Sequence, residues 1–275
     1  MNESAKRPCS DVYLTVLSTL SYVPGVKALK RSLRKVGSGY PLYILIPAER
    51  EEEFRDALSS ARILDDFCQI ITRPGAIFSA PQYLEGTDFS HWGDTFFKLQ
   101  VSGCTEFKKI ILLDCDMMVV KNIDHLFDAP HYSAIIAGQT VHPEWVDLTS
   151  GLMVIEPNTE WCRQLIDLVE PTIRELESEG KFVGDQDVFQ RGCPDWKEKP
   201  ELHLSELYNC YLSDVNAVLK SGPYRRSDFK VIHFIGRNKP WHRHWFAGLR
   251  QMLVLLKYKK FWQMWLLFRY MLLTV

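Results

Sequence analysis

The sequence predicts an α/β fold in which helices flank a mostly parallel central sheet, followed by an amphipathic helical tail. Strand-like apolar runs alternate with helical patterns, which is typical of parallel sheets. No internal repeat or low-complexity linker interrupts this alternation. The chain has 275 residues, of which 46% are hydrophobic, enough to build one large core. We therefore predict one domain over residues 1–246 and a tail over residues 247–275.

Short apolar runs rich in β-branched residues predict the strands. The predicted strands are residues 12–17, 42–46, 68–71, 110–113, 133–137 and 152–155. The predicted helices are residues 24–36, 49–60, 94–103 and 160–177. The first helix has Pro24 near its start and Gly37 just past its end, the positions that each residue type favours. Pro171 predicts a bend in the last helix because proline removes a backbone hydrogen bond.

The charges are unevenly distributed along the chain. Although the net charge is −1, no Asp or Glu follows Asp228, and residues 229–275 carry nine Lys or Arg. The acidic body argues against a uniformly basic nucleic-acid-binding protein, so we expect no nucleic-acid partner. Residues 249–275 mix basic side chains with Trp, Phe and Leu, which is typical of a helix on an anionic membrane surface. The alternative is a helix that packs on the domain or on a homodimer partner.

The cysteines and the amino terminus bear on the cellular compartment. Seven cysteines are an odd number and include no Cys-x-x-Cys pair, so neither a disulfide framework nor a structural zinc site is expected. The first residues are polar and lack an apolar signal core. The sequence contains no stretch of about 18 uncharged apolar residues, the length that a membrane-spanning helix needs. We expect a cytoplasmic protein, either free or peripheral at the inner face of a membrane.

Two aspartates follow the predicted strand at residues 110–113 directly, as Asp114-Cys115-Asp116. In an extended chain, side chains two residues apart point to the same side, so both carboxylates could meet one cation. Carboxylate oxygens suit Mn²⁺ or Mg²⁺, which often share their ligand shell with phosphate oxygens. Ligands of open parallel sheets bind at the carboxyl ends of the strands. The alternative is a solvated strand end without a metal.

A second and more specific motif is His233-Phe-Ile-Gly-Arg-Asn-Lys-Pro-Trp241. The imidazole of His233 could be a third ligand of the cation. Gly236 could let backbone amides approach a diphosphate, and Lys239 could neutralise its charge. The alternative is a core histidine followed by a surface turn and a buried tryptophan.

Together these motifs resemble the retaining glycosyltransferases of family 8, which include glycogenin and bacterial lipooligosaccharide galactosyltransferases and have the GT-A fold. Order and spacing agree over residues 12–241. The similar strings are Lys98-Leu99, residues 112–127 (LLDCDMMVVKNIDHLF), Ser150-Gly151, Gly184-Asp185-Gln186, Tyr208-Asn209 and residues 233–241. The resemblance implies a single GT-A (Rossmann-like) domain that transfers a hexose, glucose or galactose, from a UDP-sugar to a glycan, lipid-linked or protein acceptor.

The resemblance also implies a role for each matching residue. Asp114, Asp116 and His233 match the ligands of a Mn²⁺ ion, or of Mg²⁺ in its place, which acts as a Lewis acid on the departing UDP. The implied contacts with the nucleotide sugar are Val16, Ser18, Thr19, Tyr22, Lys98, Asp114, Cys115, Asp116, Thr149, Ser150, Gly236 and Lys239. Asp185 and Gln186 match the catalytic pair beside the anomeric carbon and the acceptor, and Tyr22 matches the position of a ring that stacks on uracil.

Several of these positions also have an ordinary structural interpretation. Tyr22 could cap the helix that follows it, and Asp185 could be a helix N-cap. Lys98 could lie on a solvated helix face. Thr149 and Ser150 could simply begin a strand.

The sequence departs from the family pattern near the donor sugar. Thr149 stands where glycogenin-like members have asparagine, and Phe182 stands where they have an acid, so the identity of the hexose is open. Residues 215–217 lack the tyrosine that glycogenin glycosylates on itself, which disfavours self-priming.

Two other functions fit part of the pattern. A strand followed by Asp-x-Asp is also the nucleophile motif of haloacid dehalogenase-like phosphatases. That family usually places the motif on the first strand, and it gives no role to residues 233–241. The other alternative is a non-catalytic nucleotide-sugar-binding protein, which the changes at Thr149 and Phe182 would allow.

Overall fold

The structure is a computed structural model that describes residues 11–75, 90–136, 138–236, 238–242 and 246–275, with backbone alone for 90–94. Its strands are β1 Val12–Val16, β2 Leu42–Pro47, β3 Cys68–Arg73, β4 Ile110–Leu113, β5 Met117–Val119, β6 Ala134–Ile136, β7 Leu148–Ile155, β8 His203–Leu204, β9 Cys210–Tyr211 and β10 Val231–His233. Its α-helices are α1 Val23–Lys35, α2 Glu51–Ser60, α3 Thr159–Ser178, α4 Asp185–Gly192, α5 Val215–Ser221, α6 Phe246–Lys257 and α7 Phe261–Thr274. A 3₁₀ segment covers Ser90–Gly103.

The central sheet has seven strands in the order β3-β2-β1-β4-β7-β6-β8. Its first four strands are mutually parallel, whereas β7 runs antiparallel to both β4 and β6. β8 is parallel to β6. The predicted mostly parallel sheet flanked by helices is therefore confirmed. Because β7 is reversed, its amino end lies beside the carboxyl end of β4.

The two faces of the central sheet are covered by different helices. Side chains alternate along β4: Ile111 and Leu113 pack with α1 and α2, whereas Ile110 and Leu112 pack with α3, α4 and the 3₁₀ segment. Both faces are buried, which explains why β4 reads as an uninterrupted apolar run.

A second sheet of three short strands, in the order β5-β10-β9, was not predicted. β5 begins one residue after Asp116, and β10 pairs antiparallel to it with His233 opposite Met117. A third apolar cluster joins this sheet to α5 and α7. The sheet therefore places two distant chain segments side by side at the edge of the central sheet.

The C-terminal region forms two helices that differ in burial. In α7, Leu267 and Tyr270 are fully buried. The helix lies along α1, where the Arg31 guanidinium donates to the Leu273 carbonyl oxygen at 3.1 Å. In α6, by contrast, Leu253 is 67% exposed. Among the described residues, no helix has the length and apolarity needed to cross a bilayer.

The observed elements differ from the predicted ones in instructive ways. β7 begins at Leu148, four residues before the predicted strand, because polar residues there are also buried. The segment predicted as helical over 94–103 is a 3₁₀ helix, since buried residues three apart suit either helical period. The helix predicted over 160–177 continues through Pro171 to Ser178. Residue 137, the end of a predicted strand, and residues 1–10 lie outside the described residues.

Candidate active site

The polar site residues predicted from the sequence meet at the end of the central sheet where β1 and β4 end and β7 begins. Asp114 follows β4, and its backbone amide donates to the Gly151 carbonyl oxygen on β7 at 2.9 Å. The Phe234 amide donates to the Asp116 carbonyl oxygen at 3.0 Å, which joins β10 to the same edge. Both contacts are between backbone groups, so the position of the aspartates is fixed by the sheets.

Asp114, Asp116 and His233 form the group predicted to hold a metal. One ligand atom from each lies within 4.8 Å of the others. The His233 Nε2 atom is 3.0 Å from an Asp116 carboxylate oxygen and 3.9 Å from one of Asp114. Asp116 and His233 are buried, and Asp114 keeps 26% of its side chain exposed. The group is thus open to solvent on the side of Asp114.

The orientation of His233 fits a metal ligand. Its Nδ1 atom is 2.8 Å from the carbonyl oxygen of the Asn209 side chain, and the Asn209 amide nitrogen donates to the Thr149 hydroxyl at 3.2 Å. Nδ1 therefore carries a proton, and in the neutral ring the Nε2 lone pair faces the Asp116 carboxylate. Two acceptors 3.0 Å apart repel unless a proton or a cation lies near both. The donor set and the outer hydrogen bond fit a site for a divalent metal ion.

Two buried lysines offset part of the charge of three carboxylates. The Lys98 ammonium lies 2.7 Å from Asp114 and 3.0 Å from Asp185, so it bridges two of the predicted site residues. The Lys239 ammonium contacts the second oxygen of Asp116 and donates to the Phe234 carbonyl oxygen at 3.0 Å. Neither lysine lies on a solvated face, so the alternative interpretation of Lys98 is wrong.

These contacts set the protonation of the site. Burial raises the pKa of Asp114, although Lys98 and His233 oppose the rise. For Asp116, burial also favours the neutral acid, but His233 and Lys239 outweigh it and lower the pKa. Burial disfavours the Lys98 ammonium, yet Asp114 and Asp185 more than compensate and raise its pKa. The pKa of Lys239 is raised for the same kind of reason, with Asp116 as its main partner. Both lysines therefore stay charged near neutral pH.

Asp185 is held by residues of other elements. It is the first residue of α4, and Gly184 is the N-cap, so the N-cap interpretation of Asp185 is wrong. The Ser150 hydroxyl donates to the Asp185 carboxylate at 2.7 Å. Thr149 and Ser150 are thus buried hydrogen-bonding residues within β7 and more than simple strand-entry positions. Gln186, the next residue of α4, is half-buried.

The residues predicted to contact a nucleoside lie beyond the end of β1. Val16 ends that strand, and Ser18 and Thr19 follow it, all three half-buried. The Tyr22 ring meets Trp241 edge-on, with centroids 5.7 Å apart, and the Lys239 ammonium lies 5.4 Å from its centroid. Tyr22 occupies the N-cap position of α1 but its side chain makes no capping hydrogen bond there. The Tyr22 ring therefore lies on the side of the site that carries Lys239.

Cys115 and Gly236 contribute through the backbone. The Cys115 side chain packs in the apolar cluster under α1, and burial raises its thiol pKa well above the ordinary value. A Cβ atom added to Gly25 in α1 would lie 2.7 Å from the Cys115 carbonyl oxygen, so the helix and the aspartate turn are in close contact. Gly236 has a φ of +98°, a conformation that other residues rarely adopt.

Sequence reasoning missed three side chains that support the site. Asn209 orients His233. It lies in the Tyr208-Asn209 string that supports the family resemblance, but that string predicted no role for it. Tyr211 meets the His233 ring edge-on at 5.6 Å. Thr95 also accepts a hydrogen bond from the Asp185 amide at 3.3 Å.

Comparison with known proteins decides the family. A model of the family described as glycosyl transferase family 8 matches residues 14–244, which include all of the site residues named above. The chain belongs to this family. Membership of a glycosyltransferase family supports a transferase and argues against the phosphatase interpretation of Asp114 and Asp116.

Relatives in glycosyl transferase family 8 are similar along most of this chain. Glycogenin-1 of Caenorhabditis elegans is 29% identical over 235 residues, which cover 85% of this chain and 51% of that protein. The Arabidopsis thaliana protein named putative UDP-glucuronate:xylan alpha-glucuronosyltransferase 3 is 30% identical over 236 residues, covering 84% and 34%. The chain thus spans about half of the first relative and about a third of the second.

Solved structures of glycosyltransferases share the fold. An active-site variant of LgtC aligns with a TM-score of 0.57 at 16% identity, covering 89% of this chain and 95% of that one. The glycosyltransferase GlyE of Streptococcus pneumoniae TIGR4 aligns with a TM-score of 0.56 at 17% identity, covering 85% and 57%. At these identities the likeness concerns the fold alone, and it confirms the predicted GT-A type of α/β domain.

Proposed function

We propose that this family 8 glycosyltransferase moves a hexose, glucose or galactose, from a UDP-sugar to a carbohydrate, glycolipid or glycoprotein acceptor, with retention and with Mn²⁺. The observation that carries the proposal is the buried group of Asp114, Asp116 and His233, flanked by two lysines. Asp114, Asp116 and His233 would hold the cation, which when bound supplies Lewis-acid stabilisation of the leaving diphosphate. Mg²⁺ is the substitute we expect for this donor set.

Lys239 is the residue that we assign to the departing UDP. Its ammonium contacts Asp116, and a lysine side chain can rotate from a carboxylate to phosphate oxygens without moving the backbone. Gly236 lies three residues earlier and has a positive φ, which favours glycine. Because glycine has no side chain, the backbone there is open to phosphate oxygens. Charge that develops on the leaving oxygens would therefore meet a buried ammonium group.

Asp185 is the residue that we assign to the sugar. Lys98 and Ser150 hold its carboxylate in place, and fixed charges act most strongly in a buried site. It would stabilise positive charge at the anomeric carbon or orient the acceptor hydroxyl, with Gln186 beside it. We place the uracil near Tyr22, with the segment from Val16 to Thr19 beside the nucleoside.

The test is UDP release from a panel of UDP-sugars, with and without Mn²⁺. Asp114→Asn should abolish release, and Mn²⁺ binding followed by electron paramagnetic resonance should weaken with it. Asp128→Asn, the same change at an exposed aspartate, is the matched control and should leave both unchanged. Release that persists in Asp114→Asn would refute the metal assignment. Tight binding of UDP-sugars without release in the wild type would favour the non-catalytic binder.

We further propose that α6 and the outer face of α7 rest on an anionic membrane surface. Exposed apolar residues of both helices include Phe246, Leu253, Trp265 and Phe268. Basic residues lie among them, and no acid follows Asp228 to oppose their attraction to anionic lipid. The described cysteines form no disulfide, which fits a peripheral protein on the cytoplasmic side.

Vesicle flotation can test this surface. Deleting residues 249–275 would remove the buried face of α7, so substitutions are the better probe. Leu253→Ser with Phe268→Ser should reduce binding to phosphatidylglycerol-containing vesicles. Lys257→Gln with Lys260→Gln should reduce that binding too, while phosphatidylcholine vesicles serve as the uncharged control. Unchanged flotation would reject the membrane surface, and sedimentation as a dimer that Leu253→Ser disrupts would instead support a homodimer.

A further inference from the structure

Exposed hydrophobic side chains lie on the segments that carry the site residues. Before residue 246, the large hydrophobic residues exposed in the described part of the chain are Trp145, Val146, Phe182 and Ile235, at 44–48%. All of them lie on loops that lead into or out of site residues: the first two precede Thr149, Phe182 precedes Asp185, and Ile235 precedes Gly236. Exposed apolar side chains next to site residues indicate a binding surface.

Trp145 is held rigidly although 45% of it is exposed. Its ring stacks on His142, with centroids 4.0 Å apart and an interplanar angle of 15°. The Trp145 amide donates to the His142 carbonyl oxygen at 2.9 Å. Gly138, with a φ of +66°, packs so closely that a Cβ atom there would lie 3.1 Å from the indole. One face of the indole is thus braced before any ligand arrives.

The loop that carries Trp145 is tied to the site at both ends. Before it, the Thr140 amide donates to the Glu206 carboxylate at 3.0 Å. After it, Asp147 pairs with Lys197 at 2.7 Å, and the Leu148 amide donates to the Gln190 side chain of α4 at 2.9 Å. These ties fix the indole relative to α4, the helix that begins with Asp185.

Trp145 lies close in the sequence to a residue that contacts Asp185. Trp145 is five residues before Ser150, whose hydroxyl contacts Asp185, so their Cα atoms are at most about 18 Å apart. Gly138, which lies next to the indole, also lines a solvent-open recess with Thr149, Asn209, Tyr211 and Asp214. The indole is therefore adjacent to a residue of the recess, whose lining includes Asn209, the residue that orients His233.

We propose that Trp145 is the platform of an acceptor subsite, on which the apolar C–H face of a pyranose ring of a carbohydrate acceptor rests. A sugar ring presents an apolar face and a polar rim, and the subsite offers the same pair of surfaces. The indole supplies the apolar surface, and Asp214 and Tyr211 in the recess supply acceptors and a donor for hydroxyl groups. This subsite rests on the proposed function, because it presumes a carbohydrate acceptor, and it narrows that acceptor to a glycan.

Direct binding tests the subsite without need of turnover. Saturation-transfer difference NMR with maltotriose, lactose and xylotriose would be measured on the wild type, Trp145→Ala, Trp145→Phe and Trp265→Ala. Trp265 is 48% exposed on α7 and is the matched control. We expect at least one oligosaccharide to bind the wild type and Trp265→Ala, to bind Trp145→Ala about tenfold more weakly, and to regain part of its affinity in Trp145→Phe.

The outcomes separate the subsite from the proposed function. Equal binding to Trp145→Ala and wild type, or no binding of any of the three oligosaccharides to the wild type, would overturn the subsite. UDP binding is measured on the same samples and should be unchanged in Trp145→Ala. Failure of UDP to bind the wild type would count against the proposed function, whereas the oligosaccharide result would still decide the role of Trp145.

Discussion

Asn209→Ala should weaken Mn²⁺ binding tenfold to a hundredfold, because Asn209 is the residue that orients His233. Its side-chain oxygen lies 2.8 Å from Nδ1 and so directs the Nε2 lone pair toward the carboxylates. Loss of such an outer hydrogen bond typically lowers metal affinity by these factors, which correspond to about 1.4–2.8 kcal/mol. Asn209→Asp keeps the oxygen that accepts from Nδ1 and should bind Mn²⁺ at least as tightly as the wild type.

The assay is Mn²⁺ titration by electron paramagnetic resonance, with folding followed separately by urea denaturation. Asn209 makes two buried hydrogen bonds, so Asn209→Ala should also lower the free energy of unfolding by about 1–3 kcal/mol. The Mn²⁺ affinities of the two proteins are therefore compared under conditions in which both are folded. Unchanged Mn²⁺ affinity in folded Asn209→Ala would mean that His233 is not a ligand that Asn209 positions.

Three further predictions concern packing and charge. Gly25→Ala places a Cβ atom 2.7 Å from the Cys115 carbonyl oxygen, so it should cost about 1–3 kcal/mol in urea denaturation and weaken Mn²⁺ binding. Gly37 has a φ of +71°, and a Cβ atom there would meet open space. Gly37→Ala should therefore lower the free energy of unfolding by about 1–2 kcal/mol and leave the Mn²⁺ affinity unchanged. Equal Mn²⁺ affinities in the two glycine variants would contradict the packing argument. Lys98→Met leaves two carboxylates without their shared partner and should lower the free energy of unfolding by about 3 kcal/mol, part of which added Mn²⁺ should restore; no loss of stability would refute the bridge. Burial raises the pKa of the Asp65 carboxyl, but the hydrogen bond and charge of buried Lys30, the Phe67 amide and the Arg34 charge together outweigh this and lower the pKa, so the pair should stabilise the fold above about pH 4 and lose its effect as the pH falls further. Lys30→Met should therefore be less stable than the wild type by about 1–2 kcal/mol at pH 7 and by less at pH 3, and a difference that does not depend on pH would refute the ion pair.

Several elements could be predicted from the sequence because their signals are local. β4 is an apolar run buried on both faces, and two aspartates follow it without interruption. α1 carries its apolar residues at helical spacing and ends before Gly37. Such patterns depend on neighbouring residues only, so a single sequence contains them.

Other elements had no such signal. β8 and β9 have two residues each, and β5 and β10 have three, too few for an alternating pattern to be distinguished from chance. Residues 148–151 include Thr149 and Ser150, whose hydroxyl groups become acceptable in a buried strand because partners on other elements satisfy them. Those partners are 35 and 60 residues away in the chain.

The tail illustrates the limit of composition. Its basic and aromatic residues predicted a surface helix, yet α7 buries Tyr270 against Phe234, with ring centroids 3.7 Å apart. That contact places the last helix directly behind His233. α6 keeps the exposed apolar residues on which the membrane proposal rests.

The sequence by itself determined the α/β class, the residue types at the site and the family resemblance that linked them, because strand, helix and motif are each written within a short stretch of chain. The tertiary structure decided which side chains touch. Antiparallel pairing of β10 with β5 brings His233 beside Asp116 across 117 residues of sequence, and packing of the 3₁₀ segment brings Lys98 between Asp114 and Asp185. Contacts between residues so far apart depend on how the sheets pair and how the helices cover them, which no local pattern encodes.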